Sequence, residues 1–501
     1  MKEEQEQFNR LFVGGDLSGI QSFLYNISSK RAAVSLKGRS YSLAKYMAEA
    51  CEILMAAARN SGSDKPDPIY CSGGKFYLIT SNTLAIRQAI DECASKIKKD
   101  LWKDYNGLLG INIAYTPFYE NTDGSINTAD GSNLEPGILW RTVNAEFARQ
   151  KNQKFKDIIV EDFESFFKPI DIGDKPKVCA ITGIESDDCV KLKKDGDDDE
   201  ILVLPSVMTQ IELGRKLNIE EQNVIGDKVK TFEDYADSSY LGVLRMDVDS
   251  LGERFITGFK SIKAYKEFSK RLVEFFENEV KDIWRDPKFK DFINVIYAGG
   301  DDLFIVGRWD MTIAFAKRIH DEVKKRFEDD GISISGGVAI VKPKFPIAKA
   351  AELAGDAENA AKHFDDKILG TKNAFHFLGK TVSWRNEFDY VARTKDKFVE
   401  LHKVYGMSKS ILHKLMLYAS VGEKNKRRKV RGKTQDFSYL WHASYYLTRY
   451  IKRYEKEEKY EVADFVRNLR DKEITLNSGR NLQLIALAAR WAELQLREFE
   501  Q

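Results

Sequence analysis

Tyr297-Ala298-Gly299-Gly300-Asp301-Asp302-Leu303-Phe304-Ile305-Val306 decides the reading of this chain. Two glycines and two aspartates stand between apolar runs, Ile293 to Tyr297 before them and Leu303 to Val306 after, the pattern of a β-hairpin. Glycine lets a backbone or a phosphate come close, and paired carboxylates supply the oxygen ligands a divalent cation prefers. Taken alone, Gly-Gly-Asp-Asp is an ordinary turn, because Gly and Asp are the commonest turn residues. What surrounds it makes the difference.

A second acidic strand end, Arg245-Met246-Asp247-Val248-Asp249, lies upstream with a helical pattern, Tyr265 to Ile283, between the two. The same order occurs earlier in the chain. Asp16-Leu17-Ser18-Gly19-Ile20-Gln21-Ser22-Phe23 resembles the stretch from Asp247 to Phe255, and Ser72-Gly73-Gly74-Lys75-Phe76-Tyr77 resembles the stretch from Ala298. Gly110-Ile111-Asn112-Ile113 likewise resembles Gly331-Ile332-Ser333-Ile334. This is a strand–helix–hairpin–helix–strand unit used twice. The copies are chemically unequal. The second keeps Asp247, Asp301 and Asp302, whereas the first is expected to have Lys75 and Phe76 where the paired aspartates would be. Gly73 and Gly74 of the first copy and Gly299 and Gly300 of the second can approach phosphate, and only the second copy can hold metal. Two arrangements are open: copies face to face, each with a nucleotide, or a decayed duplication that only packs.

Phosphoryl transfer needs charge neutralisation and in-line positioning more than covalent help. Asp247 and one of Asp301 and Asp302 are therefore expected to hold Mg²⁺ (or Mn²⁺), the other aspartate orienting water or easing deprotonation. Asp249 is either a further ligand or a cap of the helix that follows.

The 501 residues suggest several domains. Hydrophobic content of 43% and charged content of 31% are those of a globular protein. With 79 Lys and Arg against 77 Asp and Glu, any nucleic-acid surface must be local. No apolar run reaches membrane-spanning length, and five cysteines form no disulfide framework, so a cytoplasmic protein is expected. The expected fold class is α+β, with two ferredoxin-like palm domains at 1–140 and 239–380. A mixed middle domain spans 141–238 and an all-helical domain 381–501.

Gly15-Asp16-Leu17-Ser18-Gly19-Ile20-Gln21-Ser22-Phe23-Leu24-Tyr25-Asn26-Ile27 resembles the opening of the first palm in the large subunit of type III-A CRISPR effector complexes. Ser35-Leu36-Lys37-Gly38-Arg39-Ser40, the Ser72 and Asp247 segments, Gly-Gly-Asp-Asp and Pro343-Lys344-Phe345-Pro346-Ile347 fit the same family, in order, to about Gly379. The resemblance implies ATP as substrate, joined into cyclic oligoadenylate when target RNA arrives. It implies other effector subunits and guide crRNA as partners, with no membrane. It also implies that Ser269 lies near an adenine, with Ser40 as its counterpart in the first copy. Lys75 joins Gly73 and Gly74 as a nucleotide-binding candidate, and Lys342 and Lys344 are either triphosphate contacts or solvated lysines.

Departures from the family also carry expectations. The first palm begins almost at once, no histidine occurs before His320, and His320-Asp321 reads as a helix-surface pair. HD-type nuclease activity is therefore not expected. Cys179 and Cys189 are two cysteines where the family often has four, so zinc is unlikely and a zinc-finger remnant is expected. Lys424-Asn425-Lys426-Arg427-Arg428-Lys429-Val430-Arg431-Gly432-Lys433 reads as a basic loop between helices, with Lys424, Lys426, Arg427, Arg428, Lys429 and Arg431 as RNA or subunit contacts. Two rival functions stand beside cyclic oligoadenylate synthesis: transfer of AMP to another small-molecule acceptor, and a non-catalytic guide-RNA scaffold.

Overall fold

The computed structural model describes residues 8–63, 65–105, 107–122, 125–127, 134–168, 176–194, 197–226, 228–237, 239–430, 434, 438–474 and 480–498. The chain divides into two units, one of 1–334 with 338–356 and one of 335–337 with 357–501.

The first unit contains the repeat as two sheets of identical topology. In the first copy β1 (Arg10–Ser18), α1 (Ala32–Asn60), β2 (Asp67–Ser72), β3 (Lys75–Ser81), α2 (Leu84–Asp104) and β4 (Gly110–Glu120) follow in order. The strands lie β2-β3-β1-β4, with β1 antiparallel to both neighbours. After α3 (Gly137–Lys151) and α4 (Pro205–Glu220), the second copy repeats the plan. It runs β5 (Leu241–Val248), α5 (Leu251–Thr257), α6 (Ile262–Glu274), β6 (Ile293–Gly299), β7 (Asp302–Arg308), α7 (Trp309–Phe327) and β8 (Ile334–Val341), with strand order β6-β7-β5-β8. Both are ferredoxin-like palms, as the repeat predicts.

Each central strand is buried on both faces and so reads as a continuous apolar run rather than an alternation. Leu11 and Val13 pack with Leu43, Met47 and Leu54 of α1 and Ile86 and Ile90 of α2. On the other face Phe12 meets Trp140 of α3 with centroids 4.5 Å apart, and Trp140 stacks on Tyr265 of α6 at 3.9 Å and 10°. The first palm is thereby clamped to the second through buried aromatic rings, each contributing area burial plus about 0.5–1.5 kcal/mol of pair geometry.

The middle region fills the second sheet's outer face. Cys179, Ile181, Cys189, Val203, Val207 and Ile211 share one core with Val243, Phe304, Val306 and the first turns of α8 (Ile347–Lys362). Helices α1 and α4 cross at two glycines. A Cβ at Gly38 would lie 1.7 Å from the Gln210 carbonyl oxygen, and one at Gly214 would lie 1.9 Å from that of Val34. Beside the crossing, buried Arg39 bonds Gln210 Oε1 at 3.0 Å and the Phe23 carbonyl at 2.6 Å. The Ser35–Ser40 motif is therefore mainly a helix-crossing device.

In the second unit a hairpin, β9 (Ala374–Phe377) and β10 (Lys380–Ser383), precedes α9 (Glu387–Tyr405), α10 (Ser410–Val430), α11 (Ser438–Lys456), α12 (Tyr460–Asn468) and α13 (Arg480–Glu498). Phe375 stacks on Trp384, and Arg480 bonds the buried Glu387 carboxylate at 2.6 Å. Among the described residues no helix is long and apolar enough to cross a membrane.

Candidate active site at the meeting of two palms

The β6–β7 turn is built around Gly300, whose φ of 70° is the left-handed conformation that glycine adopts without penalty. It abuts the β2–β3 turn of the first palm: a Cβ on Gly300 would lie 2.6 Å from Gly73 Cα. Neither glycine tolerates a side chain, because backbone meets backbone there.

Beyond the turn, Asp302 on β7 stands in direct register with Asp247 on β5 and with Gly299 on β6. Opposed positions on adjacent antiparallel strands point to one face with Cβ atoms about 4.5–5.5 Å apart. Tyr297 donates a 3.0 Å hydrogen bond to Asp302 Oδ2, and the Val248 amide donates to the Asp301 carbonyl at 2.9 Å. Burial pushes the Asp301 carboxyl above the ordinary aspartate range, with Lys75 of the first palm acting in the opposite direction. Burial, reinforced by the charges of Asp301 and Asp302, likewise holds the Tyr70 hydroxyl well above its usual value. Burial and Asp302 do the same for Tyr297. A cation placed among these carboxylates would relieve all three shifts.

The first palm shows what stands in place of these carboxylates, and here the structure revises the sequence alignment by one residue. Gly73 and Gly74 both have positive φ, 59° and 78°, so both are turn residues, and β3 opens at Lys75. In the second palm the turn is Gly300-Asp301 and β7 opens at Asp302. Gly74 therefore corresponds to Asp301 and Lys75 to Asp302, while Phe76 corresponds to Leu303 in the core. The register agrees, since Asp16 pairs with Lys75 as Asp247 pairs with Asp302. Asp16 itself is retained, buried, and tied to Lys151 at 2.5 Å. The first copy has kept one carboxylate and set two lysines against it.

Ser40, Gly73, Gly74, Gly299 and Asp302 line one cavity, with α1 of the first palm facing β6 of the second. Ser269 lies instead in a second hollow, where α6 of the second palm faces Pro68 to Cys71 on β2. The two hollows are related by the pseudo-twofold of the repeat. Ser269 is buried, and its Oγ has no hydrogen-bond partner in the structure. Sequence reasoning missed Tyr70, Ser72, Glu277 and Lys37. Lys37 is buried, bonded to Glu221, and also lines the Ser40 cavity. No spacing rule announces these residues, because each reaches the site from another copy or another helix.

Several expectations change. Asp249 does not cap α5: its side chain is buried and accepts from Ser333 Oγ at 2.7 Å, and the N-cap residue is Ser250. His320 is not on the surface; it is buried under α7, and its Nδ1 lies 3.1 Å from Asp321 Oδ1. The basic segment is not wholly a loop, because α10 continues through it to Val430. Lys424 and Arg428 are exposed there. The side chains of Lys426, Arg427 and Lys429, and all of Arg431, lie outside the described residues. Lys342 and Lys344 are exposed just past β8. Cys179 and Cys189 are free thiols in the core under the second sheet.

Among the described residues no three His, Cys, Asp or Glu side chains converge into a closed metal cage. The donor set still fits Mg²⁺, which binds through one or two carboxylates and takes its remaining ligands from phosphates and water.

Comparison with known proteins agrees with the geometry. Residues 240–374 match the model for the Cas10/Cmr2 second palm domain, and residues 9–169 match that for Csm1 subunit domain B. A Cas10/Csm1 (subtype III-A) protein of Enterococcus italicus, named as a CRISPR system single-strand-specific deoxyribonuclease, is 26% identical over 481 residues. That alignment takes in 83% of this chain and 61% of the relative. The chain thus spans about six-tenths of the length of this curated relative. A Csm1-Csm4 cassette crystallised with pppApA superposes with a TM-score of 0.65 at 16% identity, covering 97% of this chain and 69% of that one. The same kind of cassette with cA4 gives 0.63 at 17%, covering 98% and 71%. With its two palms and its helical C-terminal region, the chain is similar to the Cas10/Csm1 proteins of subtype III-A CRISPR systems.

Proposed function

We propose that the chain is the nucleotidyltransferase subunit of a type III-A CRISPR effector complex, joining ATP into cyclic oligoadenylate when the complex binds target RNA. The observation that carries this is the asymmetric pair of turns: Asp247 faces Asp302 in the second palm, and Asp16 faces Lys75 and Lys151 in the first. One side suits a cation, the other suits phosphate charge. Two hollows between the palms, one at Ser40 and one at Ser269, suit two nucleotides. The binding of pppApA and cA4 by structurally similar cassettes supports an adenylate product.

In this reading Asp247 and one of Asp301 and Asp302 would hold Mg²⁺ (or Mn²⁺), which would neutralise triphosphate charge and activate a 3′-hydroxyl. Lys75 meets the triphosphate from the first palm, Gly73, Gly74, Gly299 and Gly300 let it approach, and Ser40 and Ser269 stand near the bases. The four-domain division and the cytoplasmic setting belong to this proposal, as do the Csm4-like partner and the crRNA. So does a contact of α10, through Lys424 and Arg428, with RNA or a neighbouring subunit. Nothing in Cys179 or Cys189 calls for zinc. Of these 501 residues none before His320 is a histidine, and His320 is buried, so DNA cutting of the HD type is not assigned to them.

Pyrophosphate release from ATP by the assembled complex tests the reading. Asp247→Ala should abolish it, and Asp16→Asn, which leaves the second palm's carboxylates intact, should retain it. Equal loss in both would make the carboxylate asymmetry irrelevant to turnover.

A further inference from the structure

The two hairpin turns are joined by a short relay. The Gly300 amide donates to Ser72 Oγ at 2.8 Å, and the Ser72 hydroxyl donates to Glu277 Oε1 at 2.7 Å. The sense of the relay follows from donor counting: a carboxylate only accepts, so the serine's single proton goes to Glu277 and a lone pair remains for the Gly300 amide. Hydrogen bonds to a carboxylate are the stronger kind, and bonds in a chain polarise one another.

The relay exists on one side of the pseudo-twofold only. Ser72 pairs with Lys75 as Gly299 pairs with Asp302, so the position of Ser72 is taken by a glycine in the second palm. Glu277 arises from a π-helical turn, Phe275–Glu279, inserted where α6 ends. The corresponding helix of the first palm, α1, runs from Ala32 to Asn60 without one. Such an insertion re-aims side chains and recurs at functional sites. Packing of the two palms is already secured by Trp140 on Tyr265 and by the glycine contact, so a polar bridge at the turn is not required to hold them together. Ser72 and Glu277 also line the cavity shared by Ser40, Gly73, Gly74 and Tyr297.

We infer that Ser72 and Glu277 are positioning residues for the metal-binding turn. They fix Gly300 so that Asp301 and Asp302 keep their place beside Asp247, and they tie that placement to the occupant of the first palm's side of the cavity. This rests on the nucleotidyl-transfer reading above.

The test uses the full chain in its assembled complex, with Ser72→Ala, Ser72→Thr, Glu277→Ala and the double alanine variant. Two quantities are measured: amide exchange of the peptide covering residues 298–302, and steady-state turnover of ATP. Ser72→Ala should speed exchange at the turn and lower kcat about tenfold, with KM for ATP kept within about twofold, the signature of an interaction made in the transition state. Ser72→Thr, which keeps the hydroxyl, should restore most of kcat. The double variant should lose no more than the worse single one, since the two residues act as a unit. Unchanged exchange with unchanged kcat overturns the inference, as does a double variant whose losses multiply. A wild-type complex that makes no product contradicts the nucleotidyl-transfer reading instead. The exchange data then decide the relay, because they need no turnover: faster exchange keeps it and unchanged exchange removes it.

Discussion

Asp301 carries a cost that only function explains. Its half-buried carboxyl lies at a turn near Lys75, and desolvation raises its proton affinity over that of an ordinary aspartate. Between the ordinary aspartate range and this raised value the folded protein holds a proton that the unfolded chain has released. Stability therefore falls as pH rises through that window. Asp301→Asn should remove this penalty. Without added metal it should raise the melting temperature at neutral pH, lose that advantage below the aspartate range, and abolish turnover. Thermal melts at two pH values check the sign, and an advantage that grew at low pH would contradict it. A group that destabilises its own fold at working pH is expected at an active site. The sequence displayed Asp247, Asp301 and Asp302 directly because all three lie within a strand or its turn. It could not display Ser72, Glu277 or Tyr70, which meet the Gly299–Asp302 turn only after the two palms close on each other.

At the scale of elements, the repeat was legible because hydrophobic runs and turn glycines recur in one order. It was blurred where a turn absorbs a residue. Reading Gly73-Gly74 onto Gly299-Gly300 aligned identical letters, whereas the backbone aligns Gly73 with Gly300 and Lys75 with Asp302. Residue identity was the wrong guide there because strand register, not glycine itself, places the turn. The same limit applied to α10: Lys424 to Val430 holds five basic residues, with nothing to break a helix, and the helix runs through it. At the crossing of α1 and α4, Gly38→Ala should be among the most damaging small substitutions in the chain. Its new methyl would fall 1.7 Å from a backbone oxygen, which cannot turn aside as a side chain would. A loss of about 2–3 kcal/mol or more, measured by chemical denaturation, is expected from such overpacking. Tolerance of alanine there would mean that the helices can part without consequence for the first palm.

For the molecule as a whole, near-equal numbers of acids and bases hide a division of labour between two copies of one fold. The first palm kept the architecture and one carboxylate and turned the rest of its site basic. The second kept the full acidic set. His320, taken from the sequence as a surface residue, is a core residue of α7, and the proposal above gives the His320-Asp321 dipeptide no nuclease role. Single-stranded DNA incubated with this chain and Mn²⁺ or Ni²⁺ should stay intact, and cutting that disappeared in His320→Ala would refute that assignment.

The central claim is that the paired turns make an adenylate polymer. Mass spectrometry of products formed by the assembled complex with ATP, Mg²⁺ and matching target RNA tests it most directly, with the Asp301→Ala/Asp302→Ala variant run alongside. Cyclic oligoadenylates are expected from the wild type and none from the variant. Adenylate joined to an added metabolite would keep the site and change the acceptor. No adenylate product from the wild type, or the same products from the variant, would contradict the account and leave the chain a scaffold.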